Sequence, residues 1–174
     1  MVTKKDPKRQ RQGAINKAQG KRFEERLDTA FTFYRDKGYA AIEKTPEPMR
    51  PTKAIGDGKF IAFFAQKAQP DYTGTLKGGR ALRFEAKYTS TDRLEHSKVI
   101  PAQAANLDLH QRLGARCFVI AGFSSGEVYL IPWDVWQNMK AHFGRKYVTE
   151  KDLGAYRVPT ARNGSLMLLP VAAE

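Results

Sequence analysis

Pro70-Asp71-Tyr72-Thr73-Gly74-Thr75-Leu76-Lys77-Gly78-Gly79-Arg80-Ala81-Leu82-Arg83-Phe84-Glu85-Ala86-Lys87-Tyr88 sets the architecture of this chain. The Gly78-Gly79 pair supplies the conformational freedom of a tight reversal, so residues 71–76 and 80–88 are predicted to form a β-hairpin. In the second limb Leu82, Phe84, Ala86 and Tyr88 alternate with Arg83, Glu85 and Lys87. Side chains alternate across a strand, so Glu85 and Lys87 share one face, and the reversal brings Asp71 beside them.

Working outward, residues 60–64 and 39–43 read as strands. Between them, residues 45–59 hold Pro46, Pro48, Pro51, Gly56 and Gly58 beside Arg50, Lys53 and Lys59, which predicts a loop or protruding arm outside the core. Phe23, Leu27, Ala30 and Tyr34 recur at helical spacing, giving a helix from about Ala14 that stops at Gly38. Downstream, Pro101 opens a helix that Gly114 closes. Residues 116–123 and 127–131 are strands joined through Ser124-Ser125-Gly126, residues 133–142 a helix, and residues 149–153 a short one. That order predicts an α/β fold, one mixed sheet flanked by helices. The expected organisation is a basic flexible arm over residues 1–13 and a single domain over 14–174. Trp133 and Trp136 read as core or dimer contacts.

Composition narrows the partners. Lys and Arg outnumber Asp and Glu by 30 to 18, a formal charge of +12. Folding gains nothing from that self-repulsion, whereas a polyanion releases condensed counterions when Lys and Arg neutralise its phosphates. A nucleic acid is therefore the expected partner. Lys4, Lys5, Lys8, Arg9 and Arg11 on the N-terminal arm, with Arg50, Lys53 and Lys59, are the expected backbone-gripping residues. With no long apolar run, no signal-peptide pattern and one cysteine, Cys117, the expected place is the cytoplasm, away from membranes. No Gly-rich loop ends in Gly-Lys-Ser/Thr, so no nucleotide cofactor is expected.

The chemistry lies in the hairpin. Two carboxylates, Asp71 and Glu85, brought close together repel unless a cation sits between them. Oxygen ligands suit a hard divalent ion, Mg2+ with Mn2+ as substitute. Such an ion polarises a phosphate, and Lys87 then orients or deprotonates the attacking water or neutralises charge on the phosphate. These residues read as a nuclease site.

The Pro-Asp…Glu-x-Lys arrangement resembles the restriction-endonuclease-like, PD-(D/E)xK nuclease superfamily. The chain as a whole resembles the RecU-type Holliday junction resolvases. The likeness rests on Gly20-Lys21-Arg22-Phe23-Glu24-Glu25, on Ala41-Ile42-Glu43-Lys44-Thr45-Pro46-Glu47-Pro48, on Asp71-Tyr72-Thr73-Gly74 and Phe84-Glu85-Ala86-Lys87, and on Gln103 followed by Cys117-Phe118-Val119-Ile120. The resemblance implies a restriction-endonuclease-like sheet, Asp71 and Glu85 as metal ligands with Glu24 completing the set, Lys87 as catalytic lysine, and Gln103 placing water or phosphate. Glu25 is the alternative to Glu24, and His110-Gln111 the competing register for Gln103. It also implies a homodimer, because a four-way DNA junction is resolved by paired cuts on equivalent strands. Residues 45–59 take the place of the family's stalk, which projects into the junction centre. The expected activity is thus a Mg2+-dependent endonuclease acting on four-way junctions in recombination and repair. The alternatives are a nuclease of the same superfamily with another substrate, of restriction or repair type, and a non-catalytic DNA-binding architectural protein.

Overall fold

The structure is a computed structural model that describes residues 7–64 and 68–169. Lys4 and Lys5 lie outside the described residues, as do the side chains of Lys8 and Arg9. The described elements run α1 (Pro7–Asp36), β1 (Ala40–Lys44), β2 (Met49–Gly56), β3 (Lys59–Phe64), β4 (Tyr72–Leu76), β5 (Ala81–Thr89), β6 (Arg93–Glu95), α2 (Pro101–Arg112), β7 (Arg116–Phe123), β8 (Val128–Pro132), α3 (Trp133–Gln137), α4 (Met139–Phe143) and β9 (Tyr147–Thr149). Five strands form one mixed sheet in the order β1-β4-β5-β7-β8, with β5 and β7 parallel and the other neighbours antiparallel.

The predicted hairpin is present, with Tyr72 opposite Phe84 and Thr75 opposite Ala81. Its alternation divides the core. Leu82 and Phe84 join Phe23, Leu27, Phe31 and Tyr34 of α1, together with Ile42, Tyr72, Phe118 and Ile120. Phe31, Phe84 and Phe118 stack in succession with ring centroids 5.7 Å apart. On the other face, Val119, Ala121 and Ile131 pack with Leu107 of α2 and with Trp133, Trp136 and Met139. Both tryptophans are core residues, and the Trp133 indole N–H donates to Asp108 Oδ1 at 2.7 Å.

Four local expectations are corrected. Helix α1 begins at Pro7, not Ala14, so residues 7–13 extend the helix; the side chains from Arg11 to Ala18 are exposed. Residues 45–59 are not a plain loop. Positive φ at Gly56, Asp57 and Gly58 reverses the chain and pairs β2 with β3 in a separate two-stranded sheet. The helix expected over 133–142 is two short ones, because the Asn138 side chain bonds back to the Asp134 carbonyl at 2.9 Å and Asn138 leaves helical geometry. The helix expected over 149–153 is instead β9 and a turn; β9 pairs with β6, a strand of three residues too short to show a period.

Gly74 marks how tightly β4 lies against β1. A Cβ there would stand 2.4 Å from the Ala41 carbonyl oxygen and 2.8 Å from the Ile42 Cα. Backbone atoms cannot swing aside, so Gly74→Ala is expected to destabilise the fold by about 2–3 kcal/mol. Urea unfolding measures this, and a variant with an unchanged midpoint would disprove the close approach.

Candidate functional site

Asp71 sits just before β4, where the chain enters the sheet. Its backbone carbonyl accepts from the Thr45 N–H at 2.8 Å, and its Oδ2 accepts from the Ala86 N–H at 3.0 Å. Those two bonds fix Asp71 between the end of β1 and the middle of β5. Ala86 lies between Glu85 and Lys87, so the bond also fixes Asp71 beside the Glu-x-Lys pair.

Glu85 is fully buried. Its Oε1 accepts from the Lys87 Nζ at 2.5 Å and from the Gln103 Nε2 at 2.6 Å. Gln103 is the third residue of α2, and its Oε1 accepts from the Ile100 N–H at 3.2 Å, so one amide ties the helix start to the strand carboxylate. Pro101 at the first helical position places that amide over β5. Gln111 lies more than two turns further along α2, is exposed, and lines a separate cavity with Arg80, Cys117 and Asp134.

The other carboxylate oxygen of Glu85, Oε2, is buried with no hydrogen-bond partner among the described residues. Burial first, and then the Asp71 charge, push Glu85 up to about 7, with Lys87 pulling the other way. When both carboxyls are ionised neither can donate to the other. They can share only a proton or a cation, and a hard divalent ion matches this all-oxygen pair. Among the described residues no group of three or more His, Cys, Asp or Glu side chains converges closely enough to hold a metal.

Glu24, expected as a further ligand, is half-exposed and accepts from the Lys44 Nζ through Oε2 at 2.5 Å. Glu25 points away and makes a 3.8 Å ion pair with Lys21 on the outer surface of α1. The sequence reading passed over three neighbours. Asp28, one turn beyond Glu24, accepts from the Tyr72 hydroxyl at 2.8 Å. Burial and this bond both raise the Tyr72 pKa. Lys44 ends β1 opposite Tyr72, and Glu24, then Asp28 and Asp71, hold it charged against partial burial. The i, i+4 spacing of Glu24 and Asp28 signalled a shared helix face. Nothing local signalled that Lys44 would meet it.

Of the expected DNA-gripping residues, four have described side chains. Arg50, Lys53 and Lys59 are exposed on the β2–β3 hairpin beside exposed Met49, Ile55, Phe60, Ile61 and Phe63, and Arg11 is exposed on α1. No helix among the described residues is long and apolar enough to cross a membrane.

Comparison with known proteins gives a consistent picture. The family model described as RecU, Recombination protein U, matches residues 18–171. The chain is similar to the Holliday junction resolvase RecU of Geobacillus sp. (strain WCH70), at 30% identity over 149 residues, covering 79% of this chain and 73% of that one. It is likewise similar to the Holliday junction resolvase RecU of Streptococcus sanguinis (strain SK36), at 31% identity over 128 residues, covering 69% of this chain and 64% of that one. The solved structure of Archaeoglobus fulgidus Hjc, a Holliday junction resolvase from an archaeal hyperthermophile, covers 79% of this chain and 89% of that one at 16% identity. Its TM-score is 0.49, too loose a likeness to carry an argument.

Proposed function

This chain belongs to the RecU family, and from that premise we propose that it is a Holliday junction resolvase, hydrolysing phosphodiesters in symmetric strands of four-way DNA junctions. The observation that carries the chemistry is fully buried Glu85 beside half-buried Asp71, with one Glu85 oxygen left without a donor among the described residues and Lys87 bonded to the other. Asp71 and Glu85 would hold Mg2+, or Mn2+ in its place, with Glu24 assisting once it leaves Lys44. When bound, such an ion supplies Lewis acidity at the phosphate.

The chain's own groups do the rest. Lys87 spends one N–H on Glu85 and has two left for the attacking water and a phosphoryl oxygen, so it orients the water for in-line attack and offsets charge developing in the transition state. As the water oxygen bonds to phosphorus, the bond to the leaving sugar oxygen breaks. Gln103 holds Glu85, and thereby Lys87, in register with Asp71. Gln103→Ala is expected to lower kcat about tenfold and leave the KM for a junction near its original value, because it loosens positioning and not binding. Steady-state kinetics on a labelled junction measure the split, and a rise in KM alone would place Gln103 among the binding residues.

Lys4, Lys5, Lys8, Arg9, Arg11, Arg50, Lys53 and Lys59 would contact phosphates, and the β2–β3 hairpin would enter the junction centre as a stalk. An isolated two-stranded hairpin is marginal in water, and five large apolar side chains exposed on this one support an arm that works against a partner surface. Paired cuts need two sites related by a two-fold axis, so the working unit is a homodimer acting on DNA in the cytoplasm. The deciding experiment incubates the protein with labelled four-way junction, linear duplex and flap DNA, with and without Mg2+. Symmetric nicks confined to the junction and dependent on the ion are expected. Equal cutting of all three substrates would move the chain to another nuclease activity, and no cutting of any would leave a DNA-binding protein.

A further inference from the structure

Resting on the reading that Asp71 and Glu85 hold a divalent ion, we propose that Lys44 is a built-in competitor of that ion, a positioning residue that sets how tightly the site binds metal. The geometry places its ammonium on Glu24 Oε2 at 2.5 Å. Asp28 and Asp71 are close enough to add to the attraction. Asp28 is already committed to the Tyr72 hydroxyl, and Asp71 Oδ2 to the Ala86 N–H. Lys87 serves Glu85 on the opposite flank. Two lysines thus serve these carboxylates, but they differ in setting. Lys87 is mostly buried against a fully buried partner, whereas Lys44 and Glu24 are 49% and 44% exposed and can part at little cost.

Two effects follow, with the same sign. A positive charge beside Asp71 repels a divalent ion, and Lys44 occupies Glu24, a further carboxylate that would otherwise be free to turn toward it. Removing the charge eliminates the repulsion and frees Glu24 together. Metal therefore binds more weakly to the native protein than its carboxylates alone would allow. Moving the Lys44 ammonium off Glu24, for instance onto a DNA phosphate, would strengthen metal binding.

The test is calorimetric titration of the intact protein with Mn2+ alone, without DNA, at low ionic strength, where the contrast is largest. Four proteins are compared: the native chain, Lys44→Met, Lys44→Arg and Asp71→Asn. For Lys44→Met the Mn2+ Kd is expected to fall about tenfold, while Lys44→Arg stays within about twofold of the native value because its charge remains. Asp71→Asn is expected to lose the binding. Thermal melts establish that each variant is folded, and Lys44→Gln serves as a second neutral variant if Lys44→Met is not. Native binding with an unchanged or weaker Kd in the neutral variant overturns the role of Lys44 and leaves the metal site standing. No Mn2+ binding by the native chain overturns the metal site itself, and the competitor with it.

Discussion

Replacing Asp71 by Asn is expected to lower cleavage of a four-way junction by at least about a thousandfold, a rise of roughly 4 kcal/mol in the barrier. The substitution is almost isosteric. The Asn carbonyl oxygen can still accept from the Ala86 N–H, so the β4–β5 hairpin keeps its bond across the site. What disappears is one of the two negative charges that make a cation necessary between Asp71 and Glu85. Junction affinity is expected to stay within about twofold, because lysine and arginine contacts to phosphate carry it and Asp71 makes none. Single-turnover cleavage in Mg2+ and gel-shift binding in its absence measure the two quantities separately. Near-native cleavage would remove Asp71 from the site. Parallel loss of cleavage and binding would show that the residue holds up the DNA surface instead.

Glu85→Gln is expected to abolish cleavage and, in the same protein, to raise stability without metal. Burial and the Asp71 charge lift Glu85 from the ordinary carboxylate value to about 7. A carboxyl whose pKa is higher folded than unfolded favours the folded state while it stays protonated. The native chain therefore has this contribution in full below the unfolded value of about 4.5 and loses it as pH rises through about 7. Above that window the buried charge costs on the order of 3 kcal/mol. Glutamine keeps an oxygen for the Gln103 amide and carries no charge, so the variant escapes the loss. In chelator at pH 8 its Tm is expected to exceed the native one by several degrees, about 2–4 °C per kcal/mol for a chain of this size, with the difference vanishing near pH 4.5. Divalent metal would reverse the order by stabilising only the native chain. Melts across the pH range in chelator test this. Equal Tm values at pH 8 would mean that Glu85 is not a buried charge.

Much of the site could be read in one dimension because its members lie on one hairpin. Period-two alternation put Glu85 and Lys87 on one face, and two glycines announced the turn that returns to Asp71. That Glu85 is fully buried was not legible, since it depends on α2 folding across β5 to bring Gln103 over the carboxylate from eighteen residues away. Where α2 starts decides that Gln103, and not Gln111, is the glutamine bonded to Glu85. Lys44, Asp28 and Tyr72 were invisible for the same reason: their partners are 20 and 44 residues distant, and only the packing of α1 on β1 and β4 unites them. The misread segments share another cause. Pro46, Pro48 and Pro51 made residues 45–59 read as a loop or protruding arm, and the reversal at Gly56-Asp57-Gly58 pairs β2 with β3 within it. Strands of three residues, such as β6 and β9, carry too few side chains to reveal a period.

The β2–β3 hairpin forms a ladder of its own, and none of its described side chains enters either half of the hydrophobic core. It is attached to the domain like a tool in a handle. Insertions or deletions there need not disturb the folding of the body, so lineages are free to lengthen, shorten or recolour that arm while the cutting chemistry stays as it is. On the proposal that this arm enters the junction, target choice and catalysis would drift on separate clocks, and grafting one relative's arm onto another's body would change which branched DNA is cut.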